Sequence, residues 1–149
     1  MADVIVDLLA PDDLAEVVHL YNQIFRPPRD EEHFQRRYLG RHNVVQMVAR
    51  IREQPVGFTI AFELKPRVLF LWFLGVIPAQ RRQGIASQLL DAMHTWATQN
   101  DYEAIRCECF NRQRPMLHLA IDQEYDIIGI RWDNDHGDNL IVLQRLFTV

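Results

Sequence analysis

The sequence predicts an α+β fold, on three observations. Apolar residues recur at period two in some segments and at helical period in others, in the order β-α-α-β-β-β-α-β-α-β-β. The segment from Arg67 to Ile77 is apolar on both faces, as a central strand is. That segment runs through a basic, glycine-containing turn straight into a helical pattern.

Each element has its own signal. Val4 to Leu9 alternates Val and Ile with other residues and reads as a first strand. Pro11-Asp12-Asp13 opens a helix, with acidic residues suited to its start. Leu14, Val17, Val18, Tyr21 and Ile24 form its apolar stripe, and Pro27-Pro28 ends it. Asp30-Glu31-Glu32 starts a second helix that closes near Gly40. Asn43 to Ile51 and Val56 to Glu63 read as strands joined at Glu53-Gln54, with the next turn at Lys65-Pro66. After the Arg67–Ile77 strand, a helix runs from Gly84 to about Thr98, with Gln99-Asn100-Asp101 as its polar exit. Glu103 to Phe110 is a strand and Pro115 to Gln123 a short helix. Tyr125 to Trp132 and Leu140 to Phe147 are the last strands, separated by Asp133 to Asn139.

The chain of 149 residues suits one domain, spanning residues 1–149, with room for a sizeable core. A net charge of −4 argues against nucleic-acid and membrane-surface binding. Lys65 is the only lysine, so the basic residues are almost all arginine. Cys107 and Cys109 share one strand face and lack the spacing of redox or zinc motifs, which predicts two reduced thiols. The first residues show no basic segment followed by an apolar run, and no apolar stretch reaches membrane-spanning length. The expected location is the cytoplasm. Asp133 to Asp138 is acidic, but it lacks the glycine and terminal glutamate of a calcium loop and reads as a solvated turn. No metal site is expected.

The chemistry gathers at residues 71–90. A strand that turns into a helix leaves backbone N–H groups without partners at the helix start, where the helix dipole adds positive charge. A pyrophosphate is a natural guest there. Gly84 lets it approach the backbone, and Arg81 and Arg82 add donors and charge.

Arg81-Arg82-Gln83-Gly84-Ile85-Ala86 fits the pattern (Gln/Arg)-x-x-Gly-x-(Gly/Ala), and Leu74-Gly75-Val76-Ile77-Pro78 precedes it. In both features the chain resembles the GCN5-related N-acetyltransferases, the GNAT family, and the element order agrees across nearly the whole sequence. The resemblance implies the acyl-CoA N-acyltransferase fold: a central, mixed, mostly antiparallel seven-stranded sheet flanked by four helices. It implies acetyl-coenzyme A as the cofactor, lying where the fourth and fifth strands splay apart. The backbone at Leu74 and Val76, with Gly75 between them, would pair with the pantetheine arm. The pyrophosphate would sit on the N–H groups of Arg81, Arg82, Gln83, Gly84, Ile85, Ala86 and Ser87. Asn111 matches an asparagine that contacts the pantetheine arm, although asparagine in this place is equally a helix N-cap.

The family's general acid is a tyrosine in the helix after that asparagine. Counting forward from Asn111 lands on His118, whereas counting backward from Glu124-Tyr125 lands on Ala120. His118 has the chemistry to donate a proton, but a lone histidine on a short helix is more often a packing or surface residue. Relatives carry a glutamate on the fourth strand as base, and this strand has no acid. Glu63 and Glu108 are the nearest carboxylates by chain position. The acceptor pocket would draw on Tyr21, Phe25, Arg26, Arg29, Glu31, His33, Phe34 and Trp132. The resulting expectation is acetyl transfer to a primary amine of a small molecule or peptide, by direct attack in a ternary complex. A coenzyme-binding module with little catalysis is the alternative, because the tyrosine and the strand-four glutamate are both missing. The long apolar last strand suggests pairing across a homodimer.

Overall fold

The computed structural model describes residues 3–147. Met1 and Ala2, which enter the reading of the first residues above, lie outside the described residues. The strands are β1 (Val4–Leu9), β2 (Val45–Ile51), β3 (Gln54–Lys65), β4 (Val68–Val76), β5 (Ala104–Phe110), β6 (Asp126–Asp133) and β7 (Asp138–Leu146). The helices are α1 (Ala15–Ile24), α2 (Glu31–Tyr38), α3 (Ile85–Gln99) and α4 (Arg114–Asp122), with a 3₁₀ turn at Pro78–Gln80. All seven strands join one sheet in the order β1-β2-β3-β4-β5-β7-β6. Every neighbouring pair is antiparallel except β4 and β5, which run parallel.

Each face of the sheet is covered by one helix pair. On one face α3 buries Ile85, Leu89, Leu90, Met93 and Ala97 in a cluster that includes Leu69, Leu71, Ile105, Cys107, Cys109, Ile141 and Leu143. Both cysteines are free and buried there, and burial pushes the Cys107 thiol up to about 12. On the other face Leu14, Val17, Leu20, Tyr21 and Phe34 pack against Val48, Phe58 and Ile60. Complete burial of such side chains stabilises the fold by roughly 1.5–3 kcal/mol each.

Several boundaries differ from the sequence reading. α1 starts at Ala15 rather than at Pro11, because the preceding loop is held by tertiary contacts. The fully buried Gln46 donates from Nε2 to the Ala10 and Asp13 carbonyls, at 2.8 and 3.1 Å, and accepts from the Tyr38 hydroxyl. The β2–β3 turn is at Arg52-Glu53, both with positive φ, so β3 begins at Gln54. β3 also runs on to Lys65, and the next turn is Pro66-Arg67, with Arg67 at φ 70°. The last strand is not free to pair outward. β7 lies between β5 and β6, so both its edges are used, and β6 forms that edge of the sheet.

Candidate active site

The parallel pair β4–β5 does not stay paired. Its register runs from Val68↔Ala104 to Leu71↔Cys107 and stops there, while β4 continues to Val76 and β5 to Phe110. The two strand ends therefore leave an opening in the middle of the sheet. β4 keeps its other edge on β3, with Thr59↔Leu74 and Gly57↔Val76 in register. The Ile77 N–H donates to the Val56 carbonyl at 2.9 Å, so Ile77 faces β3. Alternation along the strand then turns the N–H groups of Leu74 and Val76 toward the opening. The Val76 carbonyl accepts from Arg81 Nε at 3.1 Å, which folds the Arg81 side chain back over the strand end.

The turn into α3 bends through left-handed backbone ahead of an uncapped helix start. Arg82 and Gly84 both take positive φ, 65° and 77°. Gly84 is the N-cap residue of α3 and no side chain caps the helix. The N–H groups of Ile85, Ala86 and Ser87 fall in the first turn, where no intrahelical acceptor exists. A Cβ placed on Gly84 would meet nothing within 4 Å, so the approach to these groups is open. Gln83 Nε2 donates to Gln80 Oε1 at 3.1 Å and ties the loop to the 3₁₀ turn.

Gly75 and Gly57 hold the strand edge in place. A Cβ on Gly75 would lie 3.0 Å from Phe25 Cε2 and 3.1 Å from Ile24 Cγ2, so α1 packs tightly on this part of β4. A Cβ on Gly57 would lie 2.9 Å from the Gly75 carbonyl oxygen.

Asn111 follows β5 and does not cap α4, whose N-cap residue is Gln113. Its backbone N–H donates to the Asn139 carbonyl at 2.9 Å, and its side-chain amide has no protein hydrogen bond among the described residues. The β6–β7 hairpin closes this end of the site. Asp138, buried, accepts from the Arg112 N–H and from Arg112 Nε, both at 3.0 Å, and from the Asn139 N–H at 2.8 Å. Burial opposes ionisation of Asp138, but these donors outweigh it and hold the carboxyl below its usual range. The acidic turn itself is organised by Asp133, which accepts from the Asp135 and His136 N–H groups at 2.9 and 3.2 Å.

The three candidate acid–base residues do not meet. Glu63 pairs with Leu69 at the closed end of the sheet, about 17 Å along the strand from Leu74. Its Oε1 accepts from the Tyr102 hydroxyl at 2.8 Å, and Tyr102 in turn accepts from Asn43 at 2.6 Å. His118 is exposed on α4, about 200° around the helix from the buried Ala120. Glu108 is the first β5 residue beyond the split, on the face away from α3.

The acceptor-pocket residues also divide. Tyr21 and Phe34 are core residues of the α1–α2 layer. Phe25 packs on Phe73 in a tilted arrangement with centroids 5.2 Å apart, and His33 stacks on Trp72 at 6.1 Å. Arg26 is spent on the Asn22 and Phe25 carbonyls, at 2.7 and 2.8 Å. Trp132 stands exposed on β6 and donates to Asn134 Oδ1 at 2.8 Å. Beside Glu108 lies a groove that sequence reasoning missed. Its walls are Arg37, Arg41, Phe62, Leu64, Phe70, Arg106, Glu108 and Val142. The available signal was the Phe62↔Phe70 pairing, which needs the β3–β4 register, and that register is not written locally.

With this geometry in hand, sequence and structure comparisons agree. The model of the acetyltransferase (GNAT) family matches residues 14–121. The chain belongs to the GNAT family. This GNAT protein superposes on the ribosomal-protein-S18-alanine N-acetyltransferase from Escherichia coli with a TM-score of 0.84, at 16% identity, covering 99% of this chain and 96% of that one. Ard1 from Thermoplasma volcanium gives 0.80 at 14% identity, covering 98% and 99%. Arabidopsis thaliana NAA60 in complex with acetyl-CoA gives 0.77 at 15% identity, covering 97% and 99%. No curated protein sequence matches the chain.

The fold is thus the GNAT acyl-CoA N-acyltransferase fold. The cofactor of the family is acetyl-coenzyme A, and the activity class is acetyl transfer from it. The residues fit that group: an open strand edge with two N–H groups, a left-handed glycine with free space above it, and uncapped N–H groups at a helix start. No helix among the described residues is long and apolar enough to cross a membrane.

Proposed function

We propose that this GNAT protein transfers acetyl from acetyl-coenzyme A to a primary amine, with Glu108 as the general base. The observation that carries the reading is the split of β4 from β5 with a carboxylate at its start and uncapped helix N–H groups at its end. The bound coenzyme supplies an activated acetyl thioester. The N–H groups of Gly84, Ile85, Ala86 and Ser87 hold its pyrophosphate, with Arg82 and Gln83 beside them and Arg81 bracing the loop. The Leu74 and Val76 N–H groups line the arm, and they donate where negative charge develops on the carbonyl oxygen. Asn111 offers its side-chain amide to the same arm.

Glu108 faces the side opposite α3, so the acceptor arrives from the face that the coenzyme does not occupy. The carboxylate takes a proton from the acceptor ammonium, directly or through one water. Glu63 has a structural role in this reading, because it accepts from the Tyr102 hydroxyl, which in turn accepts from Asn43. His118 is turned outward, and solvent protonates the leaving sulfur in its place.

The test is acetyl transfer across an amine panel, with Glu108→Gln beside the wild type. The expected loss in kcat is roughly 100-fold or more, with coenzyme affinity unchanged. Coenzyme binding without turnover of any amine would contradict the proposal and favour a coenzyme-binding module without catalysis.

A further inference from the structure

The groove beside Glu108 has an unusual charge arrangement. Arg41 lies 4.5 Å over the Phe62 ring. Arg37 lies 5.8 Å from the same ring and 5.3 Å from Trp72. Cation–π attraction holds both guanidinium groups near the rings, and among the described residues their N–H groups have no hydrogen-bond acceptor. Arg106 donates to Gln144 Oε1 from Nε and Nη2, at 3.1 and 2.9 Å, and is held by a neutral partner.

Among the described residues none of these three arginines pairs with a carboxylate. Five other arginines do pair with acids, in Arg36–Glu32, Arg50–Glu16, Arg67–Glu103, Arg112–Asp138 and Arg145–Glu124. The chain carries a net charge of −4, so this positive excess is local. Glu108 is the only carboxylate among the groove residues, and it stands at the split. The groove measures about 310 Å³, enough for an amino acid or the first residues of a peptide, and Phe70 and Val142 give it an apolar floor.

We propose that this groove selects α-amines whose side chain carries a carboxylate. The carboxylate is held by Arg37 and Arg41, with Arg106 adding field, while the ammonium lies at Glu108. This rests on the reading of Glu108 as the amine-side base, and it names the acceptor class that reading leaves open. Dicarboxylic amino acids and peptides beginning with acidic residues share the required chemistry.

The test compares kcat/KM for glutamate, glutamine, and peptides that begin with Asp-Glu, Asn-Gln or Lys-Lys. The expected result is a preference of at least tenfold for acidic over amide acceptors, weakening as salt is raised. In an Arg37→Ala, Arg41→Ala double variant the acid-to-amide ratio should fall toward one, mainly through KM, with acetyl-coenzyme A affinity by calorimetry unchanged. Arg37→Lys, Arg41→Lys should restore part of the ratio. Both side chains are exposed, so these variants should keep the fold. A preference seen with free glutamate assigns a small molecule, and one confined to peptides assigns a chain end; either supports the proposal. Acetylation of amines with no charge preference, or equal loss on acidic and amide acceptors in the alanine variant, would overturn it alone. Coenzyme binding with no amine acetylated would overturn the underlying function as well.

Discussion

The side chain of His94 shows how single residues tie this fold to pH. Arg145 Nη1 donates to His94 Nδ1 at 3.1 Å, which leaves Nε2 to carry the proton and donate to Tyr125 Oη at 2.7 Å. Burial, reinforced by the Arg145 charge, lowers the histidine to about 4. Its folded value lies below its unfolded one, so the unfolded chain binds the extra proton. Stability is therefore full above about 6.5 and falls as pH drops toward 4. The loss should approach about 3 kcal/mol at most. Urea unfolding across this range should show the slope, and His94→Gln should flatten it. A wild-type slope unchanged by His94→Gln would contradict the assignment. None of this was legible in the sequence, because residues 94, 125 and 145 meet only after the sheet has formed. Gly84 was legible, since a glycine between a strand end and an apolar helical stripe has a local reason to be there.

At the scale of elements, β4 and α3 were the clearest features. β4 is apolar on both faces because it lies mid-sheet with helices on both sides. The turns were read about one residue off. Arg52-Glu53 and Pro66-Arg67 place residues other than Gly or Asn at positive φ, where sequence gives little signal. The hairpin pairing decides these positions and overrides local preference. The strand edge at the site gives a test of its own. Gly57→Ala would place a methyl 2.9 Å from the Gly75 carbonyl oxygen, which is backbone and cannot rotate away. The expected cost is about 1–3 kcal/mol in stability, together with weaker coenzyme binding as β4 shifts. Gly129→Ala, whose nearest neighbour would be 3.9 Å away, should be close to neutral and serves as the control. Equal thermal midpoints for the two variants would show that the Gly57–Gly75 contact does not fix the edge.

For the whole molecule, the sequence supplied the element order and the family resemblance supplied the sheet. The pairing order, with β7 inserted between β5 and β6, was not readable from periodicity. It depends on long-range register, which places the last strand inside the sheet with both edges paired. The arginine groove was invisible on the same ground, since Arg37, Arg41, Phe62 and Arg106 come from a helix, a turn and two strands. The proposed coenzyme site joins two of these elements, the β4–β5 split and the start of α3. Calorimetric titration with acetyl-coenzyme A, wild type beside Gly84→Asp, tests it most directly. The variant puts a carboxylate into the open space above the helix start and strains a residue at φ 77°. Binding by the wild type and an affinity loss of at least about 100-fold in a folded variant are expected. No binding by the wild type, or equal affinity in the two proteins, would contradict it.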